Sequence, residues 1–312
     1  MNQSALAIRC AGLVKRYGDV TAVDGLDLDV RTGECFGLLG PNGAGKTTTI
    51  EILEGLNPHD AGDVEVLGMR WGQDDRRLRQ RLGIQLQDTQ LHDKLTVAET
   101  LRLFRSFYDR GRAIDKVIGM VELESKRDSH VGKLSGGQKQ RLAVACALVG
   151  EPDILFLDEP TTGLDPQSRR QLWTLLAAYR SGGGTVLLTT HYMDEAETLC
   201  DRVAVVDRGR VIALGAPRAL IATLGAEHVV EFALDAGQQP PADAALRALP
   251  GVIDVRYEST SVLLSASAVH LAIPALLAAL DASRVRLSLL TTHSATLEDV
   301  FVHLTGRHLR DA

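Results

Sequence analysis

The stretch "CFGLLGPNGAGKTTTIEIL", residues 35–53, predicts the centre of the fold. A short apolar strand over 35–40 enters a glycine-rich loop, and a helical pattern runs from Lys46 to Leu56. The loop matches G-x-x-x-x-G-K-[ST], a motif that binds phosphate when it lies between a strand and a helix. Its glycines allow backbone N–H groups to surround an anion. The sequence therefore predicts a site for the phosphates of a nucleotide.

The loop and the start of its helix supply the candidate ligands for these phosphates. They are Gly40, Pro41, Asn42, Gly43, Ala44, Gly45, Lys46, Thr47 and Thr48. We expect Lys46 to reach the β- and γ-phosphates and the Thr47 hydroxyl to ligate Mg²⁺. A chance glycine-rich turn is the alternative, and the strand–loop–helix context disfavours it.

A second stretch, "ILFLDEP" at 154–160, adds two carboxylates. Asp158 ends an apolar strand, and open sheets bind ligands at such strand ends, so it is a candidate ligand of Mg²⁺. Glu159 is placed to orient and deprotonate an attacking water. Apolar runs that end in aspartate are common, so this prediction depends on the phosphate loop.

A third stretch, "KLSGGQKQRLAVACALVG" at 133–150, joins a glycine pair to an alanine-rich helix. Ser135 suits a helix N-cap, but a helix start does not need Gly136 and Gly137. Bare N–H groups at a helix N-terminus suit an anion. An ordinary N-cap after a flexible turn is the alternative, and this stretch alone leaves both open.

Composition excludes several classes of protein. A net charge of −6, a pI near 5.9 and an aromatic content of 4% disfavour a nucleic-acid binder. The four scattered cysteines form no metal-spaced pair and predict reduced thiols in a cytosolic protein. The start of the chain does not resemble a signal peptide, and the apolar run at 271–280 is too short for a membrane span.

The order of predicted elements indicates two domains. Strands alternate with helices up to about residue 224, which predicts an α/β domain with a mostly parallel, covered sheet. Within it, Thr96 and Glu99 form a capping box that opens an amphipathic helix. Beyond 224–228 the order β-α-β-β-α-β predicts a small ferredoxin-like α+β domain. We place the domains at 1–225 and 226–312, with a helical subdomain at about 88–150.

Together these motifs resemble one family. The phosphate loop, "LSGGQ" at 134–138 and "LDEPTTGLDP" at 157–166 occur in the order found in the ATP-binding subunits of ABC transporters. The resemblance covers about residues 5–222 and implies a P-loop ABC ATPase that uses ATP and Mg²⁺.

Other site residues are implied by the resemblance, position by position. Tyr17 in "KRYG" is similar to the aromatic residue that stacks on adenine, a contact worth about 1–3 kcal/mol; an ordinary strand aromatic is the alternative. Gln87 resembles the glutamine that contacts Mg²⁺ and the attacking water, although Gln85 and Gln90 lie nearby.

The resemblance also implies a site made by two chains. His191 is similar to the histidine that senses the γ-phosphate, and Asp165 to the aspartate that meets the partner subunit. In the family the "SGGQ" segment caps the γ-phosphate held by the opposite subunit. This implies a homodimer in which the residues Ser135, Gly136, Gly137 and Gln138 complete the partner's site. ATP binding would close the dimer, and hydrolysis would let it open.

The machine driven by this ATPase is also inferred from resemblance. The segments "LEDVF" and "LTG" in the tail, and "EGLNPHDAGDVEVLG", resemble antibiotic- and daunorubicin-resistance exporters. They imply export of a drug or other small hydrophobic compound by a separate multispanning permease. The subunit would then be cytoplasmic, held at the inner face of the membrane by that permease, with its C-terminal domain serving dimerisation or regulation.

Alternative functions are an importer ATPase, a soluble ABC ATPase acting on ribosomes or DNA, and a regulatory nucleotide-binding module. Soluble ABC ATPases usually carry two ATPase units, and the presence of Glu159 and His191 disfavours an inactive site. One helical face with Leu101, Phe104 and Tyr108 lies where the family docks its permease, but these side chains would equally suit an internal core.

Overall fold

A computed structural model describes residues 5–87, 89–258 and 260–306. The chain divides into two compact units, with the boundary between Ala216 and Pro217. This boundary lies earlier than the expected one near residue 225, because the helix over Pro217–Ala222 packs with the last helix of the second unit. The final residues of the expected small domain, 307–312, lie outside the described residues.

The first unit alternates strands with helices. Its elements are β1 (Leu6–Tyr17), β2 (Val20–Arg31), β3 (Cys35–Leu39), α1 (Lys46–Glu54), β4 (Ala61–Val66), α2 (Asp75–Arg79), β5 (Leu82–Gln85), α3 (Val97–Arg105), α4 (Ile114–Met120), α5 (Gly136–Leu148), β6 (Ile154–Asp158), α6 (Pro166–Ser181), β7 (Thr185–Thr190), α7 (Met193–Leu199), β8 (Arg202–Asp207) and β9 (Arg210–Gly215). Two short 3₁₀ turns, Glu124–Lys126 and Val131–Lys133, precede α5.

The main sheet has the strand order β5-β6-β7-β3-β8-β9, and only the last pair is antiparallel. Every residue of β3, β6 and β7 is buried, as expected for apolar runs covered on both faces. The α/β prediction is therefore confirmed. Because these strands run parallel, their carboxyl ends meet at one edge of the sheet, which is where open α/β sheets bind ligands.

A second sheet and a helical segment flank the main sheet. Strands β2, β1 and β4 form a smaller antiparallel sheet. Tyr17 is the last residue of β1. The helices α3, α4 and α5 lie between β5 and β6 in the chain. The predicted capping box of α3 is present, since the Glu99 N–H donates to the Thr96 hydroxyl oxygen at 3.2 Å and the Thr96 N–H to the Glu99 carboxylate at 2.8 Å.

The second unit contains α8 (Pro217–Ala222), β10 (His228–Leu234), α9 (Asp243–Arg247), β11 (Val252–Tyr257), β12 (Val262–Ala266), α10 (Val269–Ala282), β13 (Leu287–Ser294) and α11 (Leu297–Thr305). Its sheet has the order β11-β12-β10-β13 with every neighbouring pair antiparallel. The elements from β10 to β13 therefore form the predicted split βαβ arrangement.

The predicted thiols and the apolar run at 271–280 both pack as ordinary core groups. All four cysteines are free and buried. The apolar run lies in α10, where Leu276 and Leu280 pack into the core of the second unit. Across the described ranges, no helix has both the length and the apolar character that a bilayer span requires.

We predict that residues 1–216 fold without the rest of the chain. The main core draws its residues from the first unit, between Ala7 and Val211, whereas a separate core lies between Val230 and Leu290. A fragment ending at Ala216 should show one cooperative urea transition by circular dichroism, with the full chain as control. A fragment that aggregates or melts without cooperativity would contradict this division.

Candidate functional site

The loop between β3 and α1 is shaped by glycine. Gly43 and Gly45 have φ values of +77° and +98°, in the left-handed region that glycine adopts without strain. A Cβ atom at Gly45 would also overlap the carbonyl oxygen of Ala22. Among the described residues no side chain caps α1, so its first-turn N–H groups face the loop as an anion site.

Lys46 lies over this loop. Its side chain is buried, and its Nζ donates to the carbonyl oxygens of Gly40 at 2.8 Å and Pro41 at 3.0 Å. Burial lowers the pKa of Lys46, while the nearby carboxylates of Glu159 and Asp158 act in the opposite direction. The ammonium group is therefore close to both predicted carboxylates, although Asp158 and Glu159 lie more than a hundred residues further along the chain.

Asp158 and Thr47 form the candidate magnesium site. The buried Asp158 carboxylate accepts a hydrogen bond from the Thr189 hydroxyl and interacts with the Thr47 hydroxyl. Burial raises the pKa of Asp158, and these hydroxyls together with Lys46 oppose the rise. A hydroxyl and one carboxylate fit Mg²⁺, which usually binds few protein oxygens and completes its shell with phosphates and water. The described residues accordingly contain no cage of three or more His, Cys, Asp or Glu.

Glu159 brings the predicted catalytic residues together. Its carboxylate lies 3.1 Å from His191 Nδ1 and accepts a hydrogen bond of 3.4 Å from the Gln87 amide. The Thr162 hydroxyl donates to it as well, at 3.1 Å. The side chain of Glu159 is only 10% exposed and its contact with His191 is partly buried, whereas its hydrogen bonds with Gln87 and Thr162 lie at the exposed surface.

The backbone of Glu159 is held in an uncommon conformation. Its φ is +46°, a value that non-glycine residues adopt rarely and that costs about 1–3 kcal/mol. Its N–H donates to the Thr189 hydroxyl oxygen at 3.0 Å and lies 3.2 Å from the Thr189 carbonyl oxygen. Thr189 therefore holds both carboxylate residues, since the parallel register pairs it with Asp158.

Sequence reasoning missed Thr189 and Thr162. A signal was present for Thr189, because "TTH" at 189–191 places a hydroxyl at the end of a buried strand. Its role depends on the pairing of β6 with β7, which the sequence does not specify. Gln87 rather than Gln85 faces the site, since Gln85 is buried and its amide donates to the Leu86 carbonyl oxygen at 2.6 Å.

The start of α5 is capped by its own residues. The Gln138 N–H donates to the Ser135 hydroxyl oxygen at 3.3 Å, and the Ser135 N–H to the Gln138 side chain at 3.0 Å. A Cβ atom at Gly136 would meet no heavy atom within 4 Å, whereas one at Gly137 would overlap Ser168. The two glycines thus differ: Gly136 faces open space, and Gly137 allows α5 to approach α6 in the same chain.

Asp165 caps α6 beside this start. Its carboxylate accepts the N–H groups of Gln167 and Ser168, each at 3.0 Å, and the Ser168 hydroxyl at 2.6 Å. The hydrogen bonds from Ser168 hold the pKa of Asp165 below its usual range. Ser168 is therefore a neighbour of both Gly137 and Asp165.

Tyr17 lies at the end of β1 with its ring half exposed. Its hydroxyl accepts a hydrogen bond from the Asn57 amide, and Lys15 Nζ lies 5.3 Å from its ring centre. The hydrogen bond fixes the ring at one end and leaves a face that suits stacking.

Comparisons with known proteins identify relatives along the whole chain. A family model described as "ABC transporter" matches residues 23–162. The Nod factor export ATP-binding protein I of Burkholderia orbicola is 43% identical over 302 residues, covering 95% of this chain and 96% of the relative. The protein of the same name from Ralstonia nicotianae is 42% identical over 308 residues, covering 96% and 94%. The similarity therefore extends through both units.

Solved structures resemble about two thirds of the chain. An ATP-binding subunit of an ABC transporter has a TM-score of 0.65 and 28% identity, covering 70% of this chain and 93% of its own. The protein cbiO1 of Clostridium perfringens, part of the ABC transporter complex cbiONQ, has a TM-score of 0.64 and 30% identity, covering 70% and 91%. A bacterial ABC transporter cassette solved as a dimer has a TM-score of 0.60 and 26% identity, covering 67% and 98%.

The two glycines of α5 provide a matched test of its packing. Gly137→Ala should lower the free energy of unfolding by about 1–3 kcal/mol, because the new methyl group overlaps Ser168. Gly136→Ala adds the same methyl group in open space and should be neutral or stabilising by up to about 1 kcal/mol. Urea unfolding of both variants measures the difference, and equal stabilities would contradict the packing described here.

Proposed function

This chain belongs to the family of ATP-binding subunits of ABC transporters, which are ATPases, and on that premise we propose that it powers an exporter through ATP-driven closure and opening of a homodimer. One observation carries the proposal: the Glu159 carboxylate is held by Gln87, Thr162 and His191. It lies close to Lys46 at the edge of the sheet that carries the phosphate loop. A carboxylate shielded and oriented in this way suits a general base for water.

ATP binding is assigned to the loop and to Tyr17. The N–H groups of residues 40–48 would surround the phosphates, Lys46 would pair with their charge, and Tyr17 would stack on the adenine. Thr47, Asp158 and Gln87 would hold Mg²⁺, which neutralises charge on the β- and γ-phosphates when bound. The Thr47–Asp158 interaction supports this assignment, since it already brings two oxygen ligands together.

Hydrolysis is assigned to Glu159 and His191. Glu159 takes a proton from the attacking water. At the same time the water oxygen bonds to the γ-phosphorus, and the bond between the γ-phosphorus and the leaving ADP oxygen breaks. His191 holds the Glu159 carboxylate through a contact of 3.1 Å, and we assign it to sensing the γ-phosphate. Lys46 stabilises the charge that develops on the phosphoryl oxygens.

The site is proposed to be completed by a second chain. Ser135, Gly136, Gly137 and Gln138 at the start of α5 would bind the γ-phosphate held by the partner, with Asp165 at the same interface. Two observations support this: Gly136 faces open space, and a related cassette has been solved as a dimer. ATP would then lie between the chains, and its hydrolysis would release them.

A groove in the first unit suits the permease. Trp71, Phe104 and Phe107 line a cavity of about 490 Å³ between α2 and α3, rimmed by Arg76 and Arg79. Phe107 is 62% exposed, an unusual position for a large aromatic side chain. We propose that a cytoplasmic helix of the permease docks here and holds the subunit at the inner face of the membrane.

The side chains whose role the sequence left open divide between core and groove. Leu101 is fully buried and belongs to the core, whereas Phe104 and Tyr108 line the groove. Tyr108 also donates a hydrogen bond to the Leu82 carbonyl oxygen at 3.3 Å, which ties the segment after α3 to β5.

The direction of transport is taken from the relatives. Both curated relatives described above are named for the export of Nod factor, which supports export over import. The cargo class that we propose, a drug or other small hydrophobic compound handled by the permease, rests on the resemblance of the tail and of "EGLNPHDAGDVEVLG" to resistance exporters. For the second unit we propose dimerisation or regulation, because the candidate site residues all lie in the first unit.

Replacing the general base tests the proposal directly. Glu159→Gln should keep ATP binding but slow ATP turnover by about 10²–10⁴-fold, because an amide cannot accept the proton. ATP-bound dimers should accumulate and be visible by size-exclusion chromatography. Glu124→Gln, the same change at an exposed glutamate in the helical segment, is the control and should leave turnover unaltered. Near-normal hydrolysis by Glu159→Gln would remove Glu159 from this role.

Mixing two inactive variants tests the two-chain site. Lys46→Ala breaks the phosphate loop, and Gly136→Asp places a carboxylate against the partner's γ-phosphate without crowding its own chain. A mixed dimer collects both defects in one site and leaves the other intact. An equimolar mixture should therefore recover roughly a quarter of the wild-type ATPase rate, since half of the dimers carry one good site.

A crosslink gives the same test without requiring activity. A cysteine near Ser135 should form an ATP-dependent crosslink to one near Gly43 of the partner. The native cysteines are buried and should not interfere. Crosslinks found only within single chains would rule out the shared site.

A further inference from the structure

A buried carboxyl group lies beside the proposed catalytic residues without a role in the chemistry above. Glu195 on α7 is fully buried, and neither of its carboxyl oxygens has a partner within hydrogen-bonding distance among the described residues. Burying an acidic group in this way is costly unless polar neighbours compensate. Its surroundings therefore indicate what holds it there.

Donor groups from three segments face this carboxyl. The hydroxyls of Thr190 and Thr161, the indole N–H of Trp173 and the Arg169 guanidinium lie close enough to Glu195 to lower its pKa against the effect of burial. The Thr161 hydroxyl and the Trp173 indole have no hydrogen-bond partner among the described residues either, so polar atoms on both sides of this buried site are unpaired.

The three segments are those that carry the proposed machinery. Thr190 ends β7 directly before His191, and Thr161 follows Glu159 by two positions. The indole comes from α6, the helix that Asp165 caps. Glu195 thus lies where the strand end, the loop after β6 and α6 converge.

The hydroxyl of Thr190 keeps a hydrogen that it can donate. Its oxygen accepts the N–H of Tyr192 at 2.9 Å, which leaves its own hydrogen free for the Glu195 carboxyl. A carboxyl at this position therefore acts on the turn that carries His191, between Thr190 and Tyr192.

The charge state of the group follows from its neighbours. Burial raises the pKa of Glu195, while the surrounding hydroxyl, indole and guanidinium groups oppose the rise. The Arg169 guanidinium also forms an ion pair of 3.3 Å with the Asp194 carboxylate, and it lies 4.9 Å from the centre of the Tyr192 ring. Burial therefore favours the neutral form of Glu195 relative to an exposed glutamate, and a neutral carboxyl group can both donate and accept a hydrogen bond.

We propose that Glu195 is a positioning residue for ATP hydrolysis, which acts by fixing His191 relative to Glu159. The carboxyl group lies among Thr161, Thr190 and Trp173, and by filling this buried site it keeps the loop after β6 and the end of β7 in one relative position. This inference rests on the proposed roles of Glu159 and His191 in hydrolysis. Because the two segments contact through His191 Nδ1 at 3.1 Å, a small displacement of either would break the catalytic contact.

Two substitutions of Glu195 in the full chain test this role. Glu195→Ala should lower kcat for ATP by about 10- to 100-fold while KM changes by less than about threefold, because geometry rather than ATP binding is lost. Glu195→Gln should keep kcat within about threefold of wild type, because an amide also donates and accepts. Loss of activity in Glu195→Gln, or an unchanged kcat in Glu195→Ala, would overturn the proposal.

A double variant separates positioning from general stabilisation. If Glu195 acts through His191, adding Glu195→Ala to His191→Ala should lower kcat by less than about twofold below His191→Ala alone. A merely structural residue would instead lower kcat by the same factor in both backgrounds. Multiplicative losses would therefore overturn the proposal.

Further variants keep the test decisive if Glu195→Ala does not fold. Thr161→Val removes one facing hydroxyl with little change of volume and should lower kcat by about 3- to 10-fold with KM retained; a wild-type kcat would count against the proposal. Glu34→Ala removes another buried carboxylate, bonded to Arg202 at 3.2 Å, and should lower the melting temperature without changing kcat. A kcat loss in Glu34→Ala equal to that in Glu195→Ala would show that any buried carboxylate has this effect.

Glu159→Gln measured in parallel separates this inference from the proposed function. If Glu159→Gln hydrolyses ATP normally, the assigned general base is wrong, and this inference fails with it. If Glu159→Gln is inactive while Glu195→Ala is normal, only the role of Glu195 is wrong.

Discussion

The parallel pairing of β6 with β7 is the constraint on which the candidate site depends. Its register sets Asp158 opposite Thr189, so a single threonine binds the Asp158 carboxylate through its hydroxyl and the Glu159 backbone through both of its oxygens. The same pairing brings His191, which follows β7, within 3.1 Å of Glu159. A shift of this register by one residue would turn Thr189 to the other face of the sheet and separate these groups.

The site also concentrates charged groups that are largely buried. Lys46 and Asp158 are both buried, and Glu159 is nearly so, yet each lies close to a group of opposite charge or a hydrogen-bond donor. Such groups interact more strongly than they would in water, and leaving one of them unpaired is costly. A polyanionic ligand with its cation fits this arrangement, since it would bring both signs of charge to the same edge.

Backbone conformation contributes where side chains cannot. Gly45 combines a left-handed φ with the close approach of the Ala22 carbonyl oxygen, and Glu159 holds a positive φ without being glycine. The strain at Glu159 is sustained by the two contacts of its N–H with Thr189. Uncommon backbone geometry thus occurs on both sides of the site, in the phosphate loop and after β6.

Much of this protein was determined locally by its sequence. The glycine spacing of the phosphate loop, the capping box at Thr96 and the apolar strand before Asp158 each lie within a few neighbouring residues, and the elements that they predicted are present. The alternation of strands with helices, followed by the order β-α-β-β-α-β, likewise predicted both folds. Such patterns can be recognised in the sequence because their physical cause acts over a short stretch of chain. That cause is the period of a helix, a helix cap or a turn.

Only the tertiary structure decided which distant residues meet. The packing of Gly137 against Ser168 and the bond of Thr189 to Asp158 join residues 31 positions apart. The burial of Glu195 against Thr161 likewise depends on how α7 packs beside the loop after β6. The sequence names the residues of such contacts but not their partners, because pairing is set by strand order and by the packing of helices on the sheet, which no local pattern encodes.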